Sequence, residues 1–182
     1  MSVTTQASSR ELPGALMWSL LMAAAAVGGS LAFACITPFA AFAALAAVTQ
    51  KPRAALGTMA LIWAANQAVG FAFLQYPFDA STLLWGLAIL AAALLAAAVA
   101  IARLDQGRRW LSLAFAFAVA FAVYELALLI PSLFTGESAN FAPGIIGDLA
   151  WIDLAWLAGM AALHEILVFA RWPGLSSLNQ PA

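Results

Sequence analysis

Where charge is missing constrains this chain more than any other feature. From 13 to 50 there is no charged side chain, and further long apolar runs follow with almost no polar sequence between them. An uninterrupted apolar stretch of about 18 residues or more reads as a membrane span. Charged residues make up 8% of the 182-residue chain, against about 25% in a soluble domain. These features predict an all-α polytopic membrane protein. They leave no room for a nucleotide-binding fold, a phosphate loop or a basic nucleic-acid patch.

The placement of charge then gives a topology. The seven basic residues are Arg10, Lys51, Arg53, Arg103, Arg108, Arg109 and Arg171. They fall in the two tails and in the junctions at 50–53 and 103–109. The other two junctions carry Asp79 and Glu137 and neither Lys nor Arg. Basic residues mark cytoplasmic loops, so both termini and the two basic junctions are expected inside. Arg10 and Lys51 then share a side, and the long segment between them must cross an even number of times. Two crossings require a turn, for which Gly28-Gly29-Ser30 and Thr37-Pro38 are the candidates, because Pro disfavours helix in the residue before it.

The expected architecture is six transmembrane helices in one domain, over about 13–33, 38–50, 54–74, 82–103, 109–132 and 147–171. Both termini are cytoplasmic, with tails 1–12 and 173–182. Trp110 and Trp172 fall at the inner interface and Trp85 and Trp151 near the outer one, as aromatic belts do. A lipoprotein signal ending at Ala34-Cys35 is the competing reading of the first run. That run exceeds the 7–15-residue core of a signal peptide, and more apolar sequence follows Cys35.

An ionisable side chain inside a span is costly and marks a candidate site. Glu125 lies in the fifth span, and Asp148, Asp153, His164 and Glu165 in the sixth; Asn66 and Gln67 add uncharged polarity to the third. Counted at about 1.5 Å per residue from the outer ends, Glu125, Asp153 and Asn66 share one layer of the outer half. Cys35 and Thr37 stand in the hairpin above it, and Tyr76 and Trp85 flank it. The pattern outlines an outward pocket of Cys35, Thr37, Asn66, Tyr76, Trp85, Glu125 and Asp153. Asp153, Leu157, Met160 and His164 follow i, i+4, i+7, i+11 spacing and should face the bundle.

Each feature also has a plainer reading. Cys35 is either a small buried hydrophobe or a soft thiolate donor to a metal, and a lone cysteine excludes a disulfide within the chain. His164 is either a satisfied interior histidine or a metal ligand. Asn66 and Gln67 can be hydrogen-bonding glue between helices. Ala24-xxx-Gly28, Ala25-xxx-Gly29 and Ala26-xxx-Ser30 permit close helix approach, within the chain or onto another membrane protein.

Six helices with both ends inside, the Cys35-Ile-Thr-Pro38 hairpin, the Ala24–Ser30 stripe and the "WAANQAVGF" and "YP" segments resemble the substrate-binding S-components of energy-coupling-factor (ECF) vitamin transporters. The narrower resemblance is to the cobalamin-specific type. It implies a bacterial inner-membrane, non-enzymatic component that captures a micronutrient, a corrinoid or cobalt, with no intrinsic cofactor. It also implies Cys35 as a sulfur ligand to cobalt. Docking on a transmembrane coupling subunit with ATP-binding subunits is implied through the Ala24–Ser30 stripe. A non-transporting membrane scaffold or assembly protein is the alternative. An intramembrane enzyme using His164, Glu125 and Asp153 lacks a supporting motif such as HExxH.

Overall fold

The computed structural model describes residues 8–32, 37–103, 109–172 and 175. Cys35, Arg108 and most of both tails lie outside them. The described residues form six α-helices and one short 3-10 turn, with no strand among them. The helices are α1 (Ser8–Ala32), α2 (Phe39–Thr49), α3 (Pro52–Ala72), α4 (Ala80–Ala102), α5 (Arg109–Thr135) and α6 (Pro143–Phe169). Five of them, all but α2, are long and apolar enough to cross a membrane.

Local chemistry sets several boundaries. Pro52 and Pro143 each open a helix at its first position, where a missing N–H costs nothing and the fixed φ is already helical. Asp79 caps α4, its carboxylate accepting from the Thr82 N–H at 2.7 Å. That hydrogen bond holds the Asp79 carboxyl below its ordinary pKa of 3.8. After α3, Gln75 takes a left-handed backbone conformation with φ of 55° and turns the chain toward α4.

The centre of the molecule is α2. At about 1.5 Å per residue its 11 residues rise about 16 Å, roughly half of a bilayer's hydrocarbon core. Every residue from Phe39 to Val48 is buried. Helices α3, α4, α5 and α6 all pack on it, while α1 reaches its far end through Trp18. A helix apolar on all sides is stable only when enclosed, and here protein encloses it.

Helix α4 turns small residues toward the core. On α4 the buried positions are Gly86, Ala92, Ala93, Ala96, Ala97 and Ala100, whereas Leu83, Leu84, Leu87 and Leu95 point outward. Lipid is as apolar as leucine, so the hydrophobic effect gives no reason to bury leucine there. Close backbone approach through alanine does stabilise packing. On α6 the buried residues are Asp153, Leu157, Met160, Ala161 and His164, which is the face that the i, i+4, i+7, i+11 spacing predicts.

Candidate functional site

A helix start leaves backbone N–H groups without an intrahelical partner, and α2 starts inside the bundle. Its cap residue is Pro38, which supplies no side-chain bond. Other elements satisfy the end instead. Asp153 of α6 accepts the Ala41 N–H at 2.8 Å, across 112 residues of sequence. The Phe39 N–H bonds the Thr37 carbonyl at 2.8 Å. A carboxylate at a helix N-terminus also complements the positive end of the helix dipole. Asp153 therefore anchors α2 from outside as an N-cap residue would from within.

Beside this anchor three uncharged side chains join α1, the residues just before α2, and α3. Thr37 donates to Asn66 Oδ1 at 2.7 Å, and Ser30 lies 3.0 Å from the same oxygen. The Ser30 and Thr37 hydroxyls are themselves 2.5 Å apart. Asn66 and Asp153 thus both serve the start of α2, from opposite neighbours. Tyr124 stacks on Phe39 at 5.7 Å between ring centroids. The next residue, Glu125, is half-buried.

Tyr76 and Trp85 stand elsewhere. They line a groove of about 240 Å³ between the ends of α3 and α4, together with Gln67, Pro77, Ser81, Thr82, Gly86 and Ile89. Asn66 and Gln67 are consecutive on α3 and so point about 100° apart; one faces α1 and α2, the other α4. The described residues expected around a single pocket fall into two groups, one on each side of α3, and Cys35 lies outside the described residues. The reason is helical phase: depth counting places residues in a layer but does not say which side of a helix they occupy.

The remaining expected residues are placed as follows. His164 is buried, packed edge-on against Trp18 at 5.1 Å, with Nδ1 3.5 Å from a Glu165 carboxylate oxygen. Among the described residues no three His, Cys, Asp or Glu side chains gather as a metal site. Asp148 is exposed on the first turns of α6. The small-residue stripe divides three ways. Ala24 and Gly28 face outward with open space around Gly28, and Ala26 and Ser30 are buried. Gly29 meets Trp156, whose ring would lie 2.6 Å from any Cβ placed there.

A second polar network, not anticipated from sequence, closes the other end of α2. Ser19 and Thr58 hydroxyls lie 2.7 Å apart. Gln50 donates to Ser19 at 3.2 Å and accepts from Thr58 at 2.8 Å. Trp18 Nε1 donates to Thr49 at 3.1 Å. The available signal was uncharged polar residues in three neighbouring apolar runs, and single serines and threonines are too common in spans to stand out. No protein family, curated protein or solved structure matches the chain.

Proposed function

We propose that the chain crosses a bacterial inner membrane six times with both ends in the cytoplasm, and that it captures a small micronutrient at its outer face for uptake. The carrying observation is that α2 begins inside the bundle, with Asp153, Asn66, Thr37 and Ser30 gathered at its amide end. Helices that start or break within the membrane are where transporters build solute sites. Charge supports the topology. Lys51, Arg53, Arg103 and Arg171 are exposed at one set of helix ends and Asp79 and Glu137 at the other.

The ligand we propose is a corrinoid or cobalt, with Cys35 as sulfur donor two residues before Thr37. Thiolate is a far better ligand than hydroxyl for such a centre. The outward Ala24–Gly28 face is the proposed seat of a transmembrane coupling subunit with ATP-binding subunits, and the resemblance to ECF S-components is the basis for that part. Equilibrium binding of cyanocobalamin and of Co²⁺ to the purified chain tests the reading. Binding should be saturable, weakened by Cys35→Ser, and accompanied by a changed visible spectrum. Equal binding by both proteins removes the ligand role of Cys35, and no binding of either probe removes the corrinoid and cobalt reading.

The scaffold reading has one observation in its favour: Ser30, Thr37 and Asn66 satisfy one another and Asp153 is engaged by Ala41. Engineered cysteines at Asn66, Glu125 and Asp153 in a Cys35→Ala background separate the two. Labelling by a small polar thiol reagent from outside supports capture of a solute, and inertness of all three supports the scaffold.

A further inference from the structure

We propose that the α3–α4 groove binds a small, uncharged, planar ring compound bearing an amide-like donor and acceptor. The inference is independent of the uptake reading, because the groove lies across α3 from the start of α2.

The groove is held in shape by its backbone. A Cβ on Gly70 would fall 2.4 Å from the Tyr76 ring, so glycine alone lets that ring lie against α3. The Tyr76 N–H bonds the Gly70 carbonyl at 3.1 Å, and Phe71 meets the same ring edge-on at 6.0 Å while stacking on Phe78 at 4.4 Å. Tyr76 is thereby fixed from two sides. At the opposite wall Trp63 Nε1 donates to the Gly86 carbonyl at 2.7 Å. The missing Cβ of Gly86 lets the Gln67 amide press against α4, with Oε1 3.0 Å from where that atom would stand.

The lining specifies the occupant. Tyr76 and Trp85 offer aromatic faces, which favour a flat partner. Gln67, Ser81 and Thr82 supply neutral donors and acceptors, with both kinds on the Gln67 amide. None of the lining residues is charged, and an ion taken from water without a counter-charge is strongly disfavoured. A volume of about 240 Å³ lies below the roughly 300–1,000 Å³ of drug-sized sites. One substituted ring fits such a space.

The test uses the full chain in lipid nanodiscs with nicotinamide as probe and nicotinate as its charged counterpart, read by equilibrium dialysis. Nicotinamide should bind saturably, and nicotinate about tenfold more weakly or worse. Trp85→Ala should weaken nicotinamide roughly three- to tenfold through lost stacking, and Gln67→Leu by a similar factor. Gly70→Ala keeps every lining side chain but displaces the Tyr76 ring, and should also weaken binding. Trp151→Ala, on an exposed face of α6, should change nothing. Helical circular dichroism identifies any variant that fails to fold, in which case Gly70→Ala decides. Absence of saturable nicotinamide binding overturns the proposal, as do equal binding of nicotinate and indifference to both Trp85→Ala and Gly70→Ala. Displacement of the probe as the phospholipid-to-protein ratio rises marks a lipid seat and overturns it as well.

Discussion

Helices α2 and α4 are written in nearly the same letters, "FAAFAALAAVT" and "LAILAAALLAAAVAIA" in their apolar parts, yet they occupy opposite positions. The first is enclosed on all sides; the second buries one alanine-rich face and turns Leu83, Leu84, Leu87 and Leu95 outward. Their starts differ in the same way. Asp79, adjacent in sequence and exposed, caps α4, whereas Asp153, 112 residues from its partner and buried, anchors α2. Where a helix is surrounded by protein, large and small residues alike are packed and its free N–H groups need a partner from another element. Where lipid is the neighbour, large residues contribute little to packing and a local cap suffices.

The largest expected effect compares two leucines. Leu45→Ala removes a fully buried side chain from α2 and should destabilise by about 2–5 kcal/mol. Leu84→Ala on the outward face of α4 should stay within about 0.5 kcal/mol. Unfolding of the two proteins in mixed dodecylmaltoside and SDS micelles measures the difference, and equal losses would break the comparison. Next is the anchor. Asp153→Leu strands the Ala41 N–H and should cost about 1–3 kcal/mol, while Asp153→Asn keeps a carbonyl acceptor and should recover most of it. A leucine variant as stable as the asparagine variant would show that α2 does not depend on Asp153.

The smallest effect is at Asp79, whose pKa is lowered on folding by the Thr82 N–H. A lowered carboxylate pKa adds stability above the unfolded value of 3.8, and that stability is lost as pH falls through the folded value. The melting temperatures of wild type and Asp79→Ala should therefore differ by a constant amount at neutral pH and converge below pH 3.8. A difference unchanged at acid pH would mean that the carboxylate is not the capping group.

Six helices were legible in the sequence because apolar runs and their breakers are local properties. The expected starts at about 54 and 147 fall two and four residues after the observed starts at Pro52 and Pro143, and the spacing of Asp153, Leu157, Met160 and His164 identifies a buried face without knowledge of a neighbour. The candidate site was less legible. Equal depth suggested that Asn66, Glu125 and Asp153 belong together, with Tyr76 and Trp85 flanking them, but side is decided by rotation. The 100° between Asn66 and Gln67 sends them to different neighbours. Nothing near Ala41 in sequence announces Asp153, and nothing near Gly29 announces Trp156.

The sequence by itself determined that this chain is helical and apolar enough for a membrane, in six segments of which the structure makes five long enough to span it, and that its charges sort to opposite helix ends. Those follow from solvent preference, which acts on each residue separately. Only the tertiary structure decided that the shortest helix is the central one, that Asp153 holds its start, and that the α3–α4 groove is separate from the layer around Asn66. In lipid a buried and an exposed alanine helix have similar composition, so packing partners alone distinguish them.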